Sequence, residues 1–107
     1  MRYEVSITIA AARDLAEMRA FLIDSDSVVR AEQVLNALQE IISTLSDMPR
    51  SGNIPKELSL IGATDYRELH YQSYRAIYTI EGDTVSIVAV ADGRRDMQSF
   101  LHRRLVR

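Results

Sequence analysis

The segment Val85–Ala91 constrains the fold of this 107-residue chain more than any other, because its single polar side chain is Ser86. A strand that is apolar along its whole length has neither face suited to water, so we expect it at the centre of a sheet. It follows the turn 81–83, and the segment before that turn, 74–80, is rich in β-branched and aromatic residues. Glycine beside aspartate between two such segments is typical of a β-hairpin.

Two further strands are predicted from the same kind of pattern. Residues 66–71 precede a tight turn at Gln72-Ser73 and complete a meander of three strands. Residues 2–9 alternate between apolar and polar side chains, which predicts a strand with one buried face. The apolar positions of this first strand are Tyr3, Val5, Ile7 and Ile9. It must join the later meander to bury that face.

Two apolar stripes recur at helical spacing between the first strand and the meander. The first predicts a helix over about residues 10–23 and consists of Ala11, Leu15, Met18 and Leu22. The second predicts a helix over 28–46 and consists of Ala31, Val34, Leu38, Ile41, Ile42 and Leu45. The polar link 24–27 is short, so the two helices should form an antiparallel hairpin. Residues 53–64 are expected to form a packed loop.

A third stripe, Met97, Leu101 and Leu105, predicts a short helix over residues 96–105. The expected order of elements is therefore β-α-α-β-β-β-α in a single domain, 1–107. We predict an α+β fold in which the antiparallel helical hairpin packs on one face of a four-stranded, mainly antiparallel sheet. The short C-terminal helix should lie near the other, partly open face.

Composition excludes several classes of function. The chain has no cysteine, which excludes thiol catalysis and thiolate metal sites. Its two histidines, His70 and His102, lie far apart without metal-ligand spacing, so neither a metal nor another cofactor is expected. No apolar run approaches the roughly 20 residues of a membrane-spanning helix, and the first residues lack the apolar core of a signal peptide. We therefore expect a cytoplasmic protein with no membrane partner.

Charge is distributed unevenly along the chain, although the formal net charge is only −2. Residues 94–107 contain one acidic residue, Asp96, and five arginines: Arg94, Arg95, Arg103, Arg104 and Arg107. Arginine forms planar, two-pronged contacts with phosphate or carboxylate, so this end is predicted to meet an acidic partner or a phosphate. The alternative is a solvated helix end, where cations favour the helix dipole.

Several basic side chains are predicted to meet at one edge of the sheet. In an antiparallel hairpin the start of one strand lies beside the end of the next, which brings Arg75 near Arg94 and Arg95. His70, at the end of the preceding strand, joins them. Cations that converge without matched acids are costly unless an anion lies among them, so this cluster is the candidate site. The alternatives within the chain are ion pairs of Arg75 with Glu68 or Asp92.

Two stretches of the sequence together resemble a known family. They are Tyr-Arg-Ala-Ile-Tyr-Thr-Ile-Glu-Gly-Asp-Thr-Val at 74–85 and Val-Ala-Val-Ala-Asp-Gly-Arg-Arg-Asp at 88–96. Both resemble the RelE/ParE superfamily, the toxins of type II toxin–antitoxin systems, as do residues 12–15 in the first helix and 48–52 after the second. The resemblance implies a growth-arresting toxin and a cognate antitoxin that covers the cationic patch.

The superfamily contains two kinds of toxin. RelE-like toxins are metal-free endoribonucleases that cleave mRNA on the ribosome, whereas ParE-like toxins inhibit DNA gyrase and are not known as nucleases. The resemblance matches Arg75 to the sheet arginine that contacts the scissile phosphate, and Arg95 or Arg94 to a residue that stabilises charge there. It does not supply an acid–base group, because Phe100 and Leu101 stand where RelE-like toxins carry a tyrosine.

The histidines are the side chains whose ordinary pKa suits proton transfer near neutral pH. For a ribonuclease we assign Arg75, Arg95, His70 and His102 as catalytic residues, and Arg67, Arg94, Phe100 and Arg103 as substrate-binding residues. Ribosome-dependent mRNA cleavage, with the ribosome and mRNA as partners, is the preferred function. Gyrase inhibition is the alternative from another class. A third hypothesis is a chain that keeps the fold and antitoxin binding without toxicity.

Overall fold

The computed structural model describes residues 2–106, and Met1 and Arg107 lie outside that part of the chain. The elements follow the predicted order, with one addition, a single-turn helix in the segment expected to be a loop. The strands are β1 (Glu4–Ile7), β2 (Tyr66–Tyr71), β3 (Tyr74–Glu81) and β4 (Thr84–Asp92). The helices are α1 (Ile9–Ser25), α2 (Val28–Ser43), α3 (Lys56–Ser59) and α4 (Met97–Leu105), and a 3-10 turn, Thr44–Ser46, follows α2.

The four strands form one mixed sheet in the order β1-β4-β3-β2. The pairs β2–β3 and β3–β4 are antiparallel, whereas β1 runs parallel to β4, with Val5 opposite Val85 and Ile7 opposite Ile87. Two predictions are thereby confirmed. The sheet is mainly antiparallel, and the nearly all-apolar strand β4 lies inside it, with a neighbour on each side.

The helical hairpin covers one face of the sheet. Thr8 caps α1 by accepting a hydrogen bond from the Ala11 amide at 3.2 Å, and Ser27 caps α2 by accepting one from the Arg30 amide at 3.0 Å. Such hydroxyls satisfy amides that have no helical partner, so a link of two residues is enough between the helices. The buried core on this face consists largely of Ala11, Leu22, Ala31, Val34, Leu38, Ile42, Leu45, Ala76, Tyr78, Val85 and Ile87.

The first strand is shorter than its alternation predicted. β1 ends at Ile7, whose side chain is 45% exposed, and Ile9 is exposed in the first turn of α1. The prediction that both isoleucines belong to a buried face was therefore wrong. The physical reason is the cap at Thr8, which turns the chain into the helix before the alternation is complete.

The second face of the sheet is covered by α3 and α4. Leu58 of α3 and Met97, Phe100 and Leu101 of α4 are buried with Ile77 of β3 in one apolar cluster. The C-terminal helix was predicted near this face. The single-turn helix α3 was not predicted. Together with α4 it covers the face of the sheet that was predicted to be partly open.

An ion pair ties α4 to the opposite side of the domain. Asp14 on α1 accepts hydrogen bonds from both terminal nitrogens of Arg104, each at 2.8 Å, and from the Val90 amide at 3.0 Å. Arg104 also donates to the Val88 carbonyl at 3.0 Å. One arginine from the basic end is therefore used to join α4, α1 and β4.

None of the helices within residues 2–106 is long and apolar enough to cross a membrane.

Leu38 lies fully buried at the centre of the interface between α2 and the sheet. Leu38→Ala is expected to lower the free energy of unfolding by about 2–5 kcal/mol, because a cavity is left in addition to the lost burial. Chemical denaturation measures this, with Leu60→Ala at an exposed leucine as the control. The control should change the free energy by less than about 0.5 kcal/mol. Equal values for the two variants would contradict the placement of α2.

Candidate functional site

Arg75 is the central side chain of the candidate site, and its guanidinium group is buried between two carboxylates. Its Nε donates to Glu68 Oε1 at 2.6 Å, and its Nη1 and Nη2 donate to Glu57 at 2.9 and 2.7 Å. Glu68 lies on the neighbouring strand β2, and Glu57 on the turn α3. Of the alternatives that the sequence left open for Arg75, an ion pair with Glu68 is the one found.

His70 belongs to the same network. The register of β2 and β3 sets His70 directly opposite Arg75. The carboxylate of Glu68 is 4% exposed, and its Oε2 accepts from Asn53 Nδ2 at 3.0 Å and lies 3.1 Å from His70 Nε2. The imidazole is half exposed. A continuous chain of polar contacts thus runs from the surface at His70 through Glu68 and Arg75 to Glu57.

Gly93 allows this network to sit beside the bend that follows β4. Its amide donates to the Ser73 carbonyl at 2.6 Å. A Cβ atom at this position would lie 2.7 Å from Cδ of Arg75 and 2.8 Å from the Ser73 oxygen. Both distances are too short for non-bonded contacts, so the close approach of Arg75 to the bend requires glycine.

Within this network, Arg75 and Glu57 shift each other's pKa towards the charged form. The hydrogen bonds from Arg75 lower the pKa of Glu57 from 4.5 to about 2, against the opposing effect of burial. Hydrogen bonds to Glu57, and then to Glu68, raise the pKa of Arg75. Glu57 and Arg75 are therefore both charged at neutral pH and form an ion pair.

Arg94 and Arg95, which follow β4, have different surroundings. The guanidinium of Arg94 is exposed and forms an ion pair with Asp92, with Nη2 2.6 Å from Oδ2, which lowers the pKa of that carboxyl. The guanidinium carbon of Arg95 lies 4.3 Å from the centroid of the Phe100 ring, within cation–π range. That of Arg104 lies 5.0 Å from the same centroid.

Phe100 has little surface left for stacking on a base, as a substrate-binding role would require. The side chain is 6% exposed, because it points from α4 into the apolar cluster of the second face. The spacing of Met97, Phe100 and Leu101 is the three-and-four pattern of one helix face. That signal was available in the sequence and indicates a core position.

The remaining assigned residues lie apart from Arg75. Arg67 donates from Nη1 to the Gly52 carbonyl at 2.7 Å and so holds the loop before α3. The Tyr78 hydroxyl binds the same loop, accepting from the Gly52 amide and donating to the Pro49 carbonyl. His102 and Arg103 are exposed on α4.

Three residues of the site were not found from the sequence. Glu57 and Asn53 lie in the segment expected to be a loop, which has no periodic pattern to place them. Asp14, which binds Arg104, lies between the apolar positions of the first helix, where the helical pattern gives no sign of this contact. Among the described residues, no group of three or more histidine, aspartate or glutamate side chains could hold a metal ion.

With the geometry established, the chain can be compared with known proteins. Residues 5–97 match the family model described as the ParE toxin of the type II toxin–antitoxin system parDE. The chain belongs to the ParE toxin family. This confirms the superfamily resemblance and makes the protein a toxin of a type II toxin–antitoxin system, with an antitoxin as its partner. No curated protein is significantly similar to it.

Solved structures share the fold. The chromosomal ParDE system from P. aeruginosa matches with a TM-score of 0.71 and 15% identity over 85% of this chain and 96% of that one. The RelBE2 complex from Mycobacterium tuberculosis matches with 0.62 and 23% over 86% and 92%. A mutant of the E. coli toxin RelE in the free state matches with 0.56 and 16% over 94% and 93%. The fold class is therefore that of both ParE and RelE toxins.

The ion pair between Glu57 and Arg75 should be visible in the pH dependence of stability. The pKa of Glu57 is lower in the folded protein, so its charged form stabilises the fold above about pH 4.5, and this contribution is lost as the pH falls towards 2. Glu57→Gln is expected to lower the free energy of unfolding by on the order of 2–3 kcal/mol near neutral pH, with the difference from the parent shrinking below pH 4.5.

Denaturation series at several pH values measure this difference. Glu40→Gln, at an exposed carboxylate of α2, is the matched control and should give a small, nearly constant difference. A parent-minus-Glu57→Gln difference that stays constant from pH 7 to pH 3 would contradict the assigned ion pair.

Proposed function

We propose that this toxin arrests growth by binding DNA gyrase and inhibiting it without catalysis. The observation that carries the proposal is the state of Arg75, whose Nε, Nη1 and Nη2 all donate to carboxylates. A ribonuclease needs this cation to face the phosphate as negative charge develops on it. Here a phosphate would meet two carboxylates around one guanidinium, and repulsion would oppose its approach. The match to the ParE family supports the same conclusion.

The exposed surface formed by α4 and by Arg95 just before it supplies cations suited to a protein target. Arg95 and Arg103 are exposed and have no carboxylate within ion-pair distance among residues 2–106. Arg95 is also held in place by the Phe100 ring, so less side-chain entropy is lost when it binds. We propose these two arginines, with His102 beside them, as contacts to gyrase.

One observation favours a second function, the ribosome-dependent cleavage of mRNA. His70 is half exposed and oriented by the buried carboxylate of Glu68 at 3.1 Å, an arrangement suited to general acid–base catalysis. In that mechanism the imidazole would exchange a proton with the 2′-hydroxyl or the leaving 5′-oxygen. Arg75 would then position Glu68 rather than contact the phosphate.

Two assays with the purified toxin distinguish these functions: supercoiling by gyrase, and cleavage of a defined mRNA on programmed ribosomes. We expect inhibited supercoiling and no cleavage. The double variant Arg95→Ala/Arg103→Ala should raise the half-inhibiting toxin concentration at least about tenfold, as for truncated arginine hot spots. Arg50→Ala, at an exposed arginine away from α4, is the control and should stay close to the parent.

Cleavage that is lost in His70→Gln, together with unimpaired supercoiling, would overturn the proposal in favour of the ribonuclease. Arg75→Ala is unsuited to this test. It leaves Glu57 and Glu68 without their shared cation, and breaking a buried ion pair in this way typically costs about 3–5 kcal/mol. Loss of growth arrest in that variant could therefore not be separated from loss of the folded structure.

A further inference from the structure

The guanidinium group of Arg75 is bound on two of its edges by two different side chains. Glu68 Oε1 lies on the side edge, 2.6 Å from Nε and 2.6 Å from Nη2. Glu57 faces the outer end of the group with both of its oxygens, Oε1 accepting from Nη2 at 2.7 Å and Oε2 accepting from Nη1 at 2.9 Å. Arginine binds phosphate through the same pair of parallel N–H donors. The carboxylate of Glu57 therefore fills a position whose geometry also suits a phosphate group.

Glu57 is carried by a short segment, residues 54–65, which we call the α3 strap. Both ends of the strap are fixed to β2. Before it, the Asn53 carbonyl accepts a hydrogen bond from the Glu68 amide at 2.8 Å, and directly after it β2 begins at Tyr66. The middle of the strap can therefore shift without separating any two strands of the sheet.

The α3 strap is anchored by burial and by the ion pair with Arg75. Pro55 and Leu58 are fully buried, whereas Leu60 is 75% exposed. The helix α3 itself has four residues and no side-chain cap, so it supplies little stability of its own. The ion pair lies near the surface, because the side chain of Glu57 is 20% exposed and that of Arg75 10% exposed. A ligand from solvent could reach the outer end of the guanidinium group if the carboxylate were absent.

We propose that Glu57 is an internal occupant of a phosphate-binding site, and that it closes Arg75 to free phosphate and to the backbone of nucleic acids. The carboxylate supplies the counter-charge and the two acceptor oxygens that a bound phosphate would supply. Without it, Nη1 and Nη2 would keep a charge near the surface that has lost its partner, and such a charge favours an incoming anion. The contact between Glu57 and Arg75 is thus autoinhibitory for phosphate binding.

This inference goes beyond gyrase inhibition, because neither Arg75 nor the α3 strap belongs to the proposed contacts with gyrase. It assigns to Glu57 a role in ligand specificity. With the carboxylate in place, the outer end of Arg75 is satisfied within the chain, and a phosphate can bind there only by displacing the strap. The inference holds for either cellular target of the toxin.

Binding of inorganic phosphate to the purified full-length toxin tests the proposal, by titration calorimetry at constant ionic strength. Glu57→Ala should bind phosphate at least about tenfold more tightly than the parent, as expected for new hydrogen bonds to a charged group. Glu40→Ala, which removes an exposed carboxylate of α2, is the matched control and should bind like the parent. Arg75→Lys in the Glu57→Ala background should cancel the gain, because an ammonium group lacks the paired donors.

A short single-stranded oligoribonucleotide without terminal phosphates is the second probe, because the same chemistry occurs in free phosphate and in phosphodiesters. A gain in Glu57→Ala for inorganic phosphate alone assigns the site to free phosphate. A gain for the oligoribonucleotide assigns it to a nucleic-acid backbone. Either gain supports the role of Glu57, provided that it depends on Arg75.

Circular dichroism on each variant verifies that the fold is retained. Glu57→Gln keeps the volume of the side chain and serves as the second variant if Glu57→Ala does not fold. Its gain should be smaller, because the amide still contacts the guanidinium group. The inference is overturned if neither probe binds the Glu57 variants more tightly than Glu40→Ala, or if the gain survives Arg75→Lys. Phosphate affinity is measured independently of supercoiling, so failure of this inference and failure of gyrase inhibition are separate results.

Discussion

The buried guanidinium group of Arg75 determines how the second face of the sheet is assembled. Taking an arginine out of water is costly unless its charge and its N–H groups are matched. Glu68 from β2 and Glu57 from α3 supply that match at 2.6–2.9 Å. Since α3 has only four residues, it is too short to be stable alone, and its position depends on Glu57 and on the burial of Leu58.

The same type of interaction fixes the C-terminal helix. Arg104 binds Asp14 with both terminal nitrogens, and its guanidinium carbon lies 5.0 Å from the centroid of the Phe100 ring in the apolar cluster of α4. Each of the two helical elements on the second face is thus held by apolar burial and by one arginine–carboxylate tie to another part of the chain. Such ion pairs add little net stability, but an arrangement that separates the two partners is costly in free energy.

Periodic patterns allowed most of the fold to be predicted, and non-periodic segments account for what was missed. The stripe through Leu38 specifies a helix because its spacing repeats over several turns. The continuous apolar run of β4 specifies a central strand because neither face of that strand is suited to water. Antiparallel register also predicts that His70 and Arg75 are neighbours. The charge balance of the site could not be predicted, because Glu57 lies 18 residues before Arg75 in a segment without period, and only the folded chain brings the two together.

The arginines of the candidate site fall into two groups, according to whether a carbonyl or carboxylate of the protein binds their guanidinium groups. Arg67, Arg75 and Arg94 are engaged by groups of the protein itself, a loop carbonyl in one case and carboxylates in the others. Within residues 2–106, Arg95 and Arg103 have no such partner. The cations left for a partner therefore lie on one open surface beside α4, and not in an enclosed pocket. The two arginines that the proposed function assigns to the contact with gyrase are thus exposed cations that form no ion pair within residues 2–106.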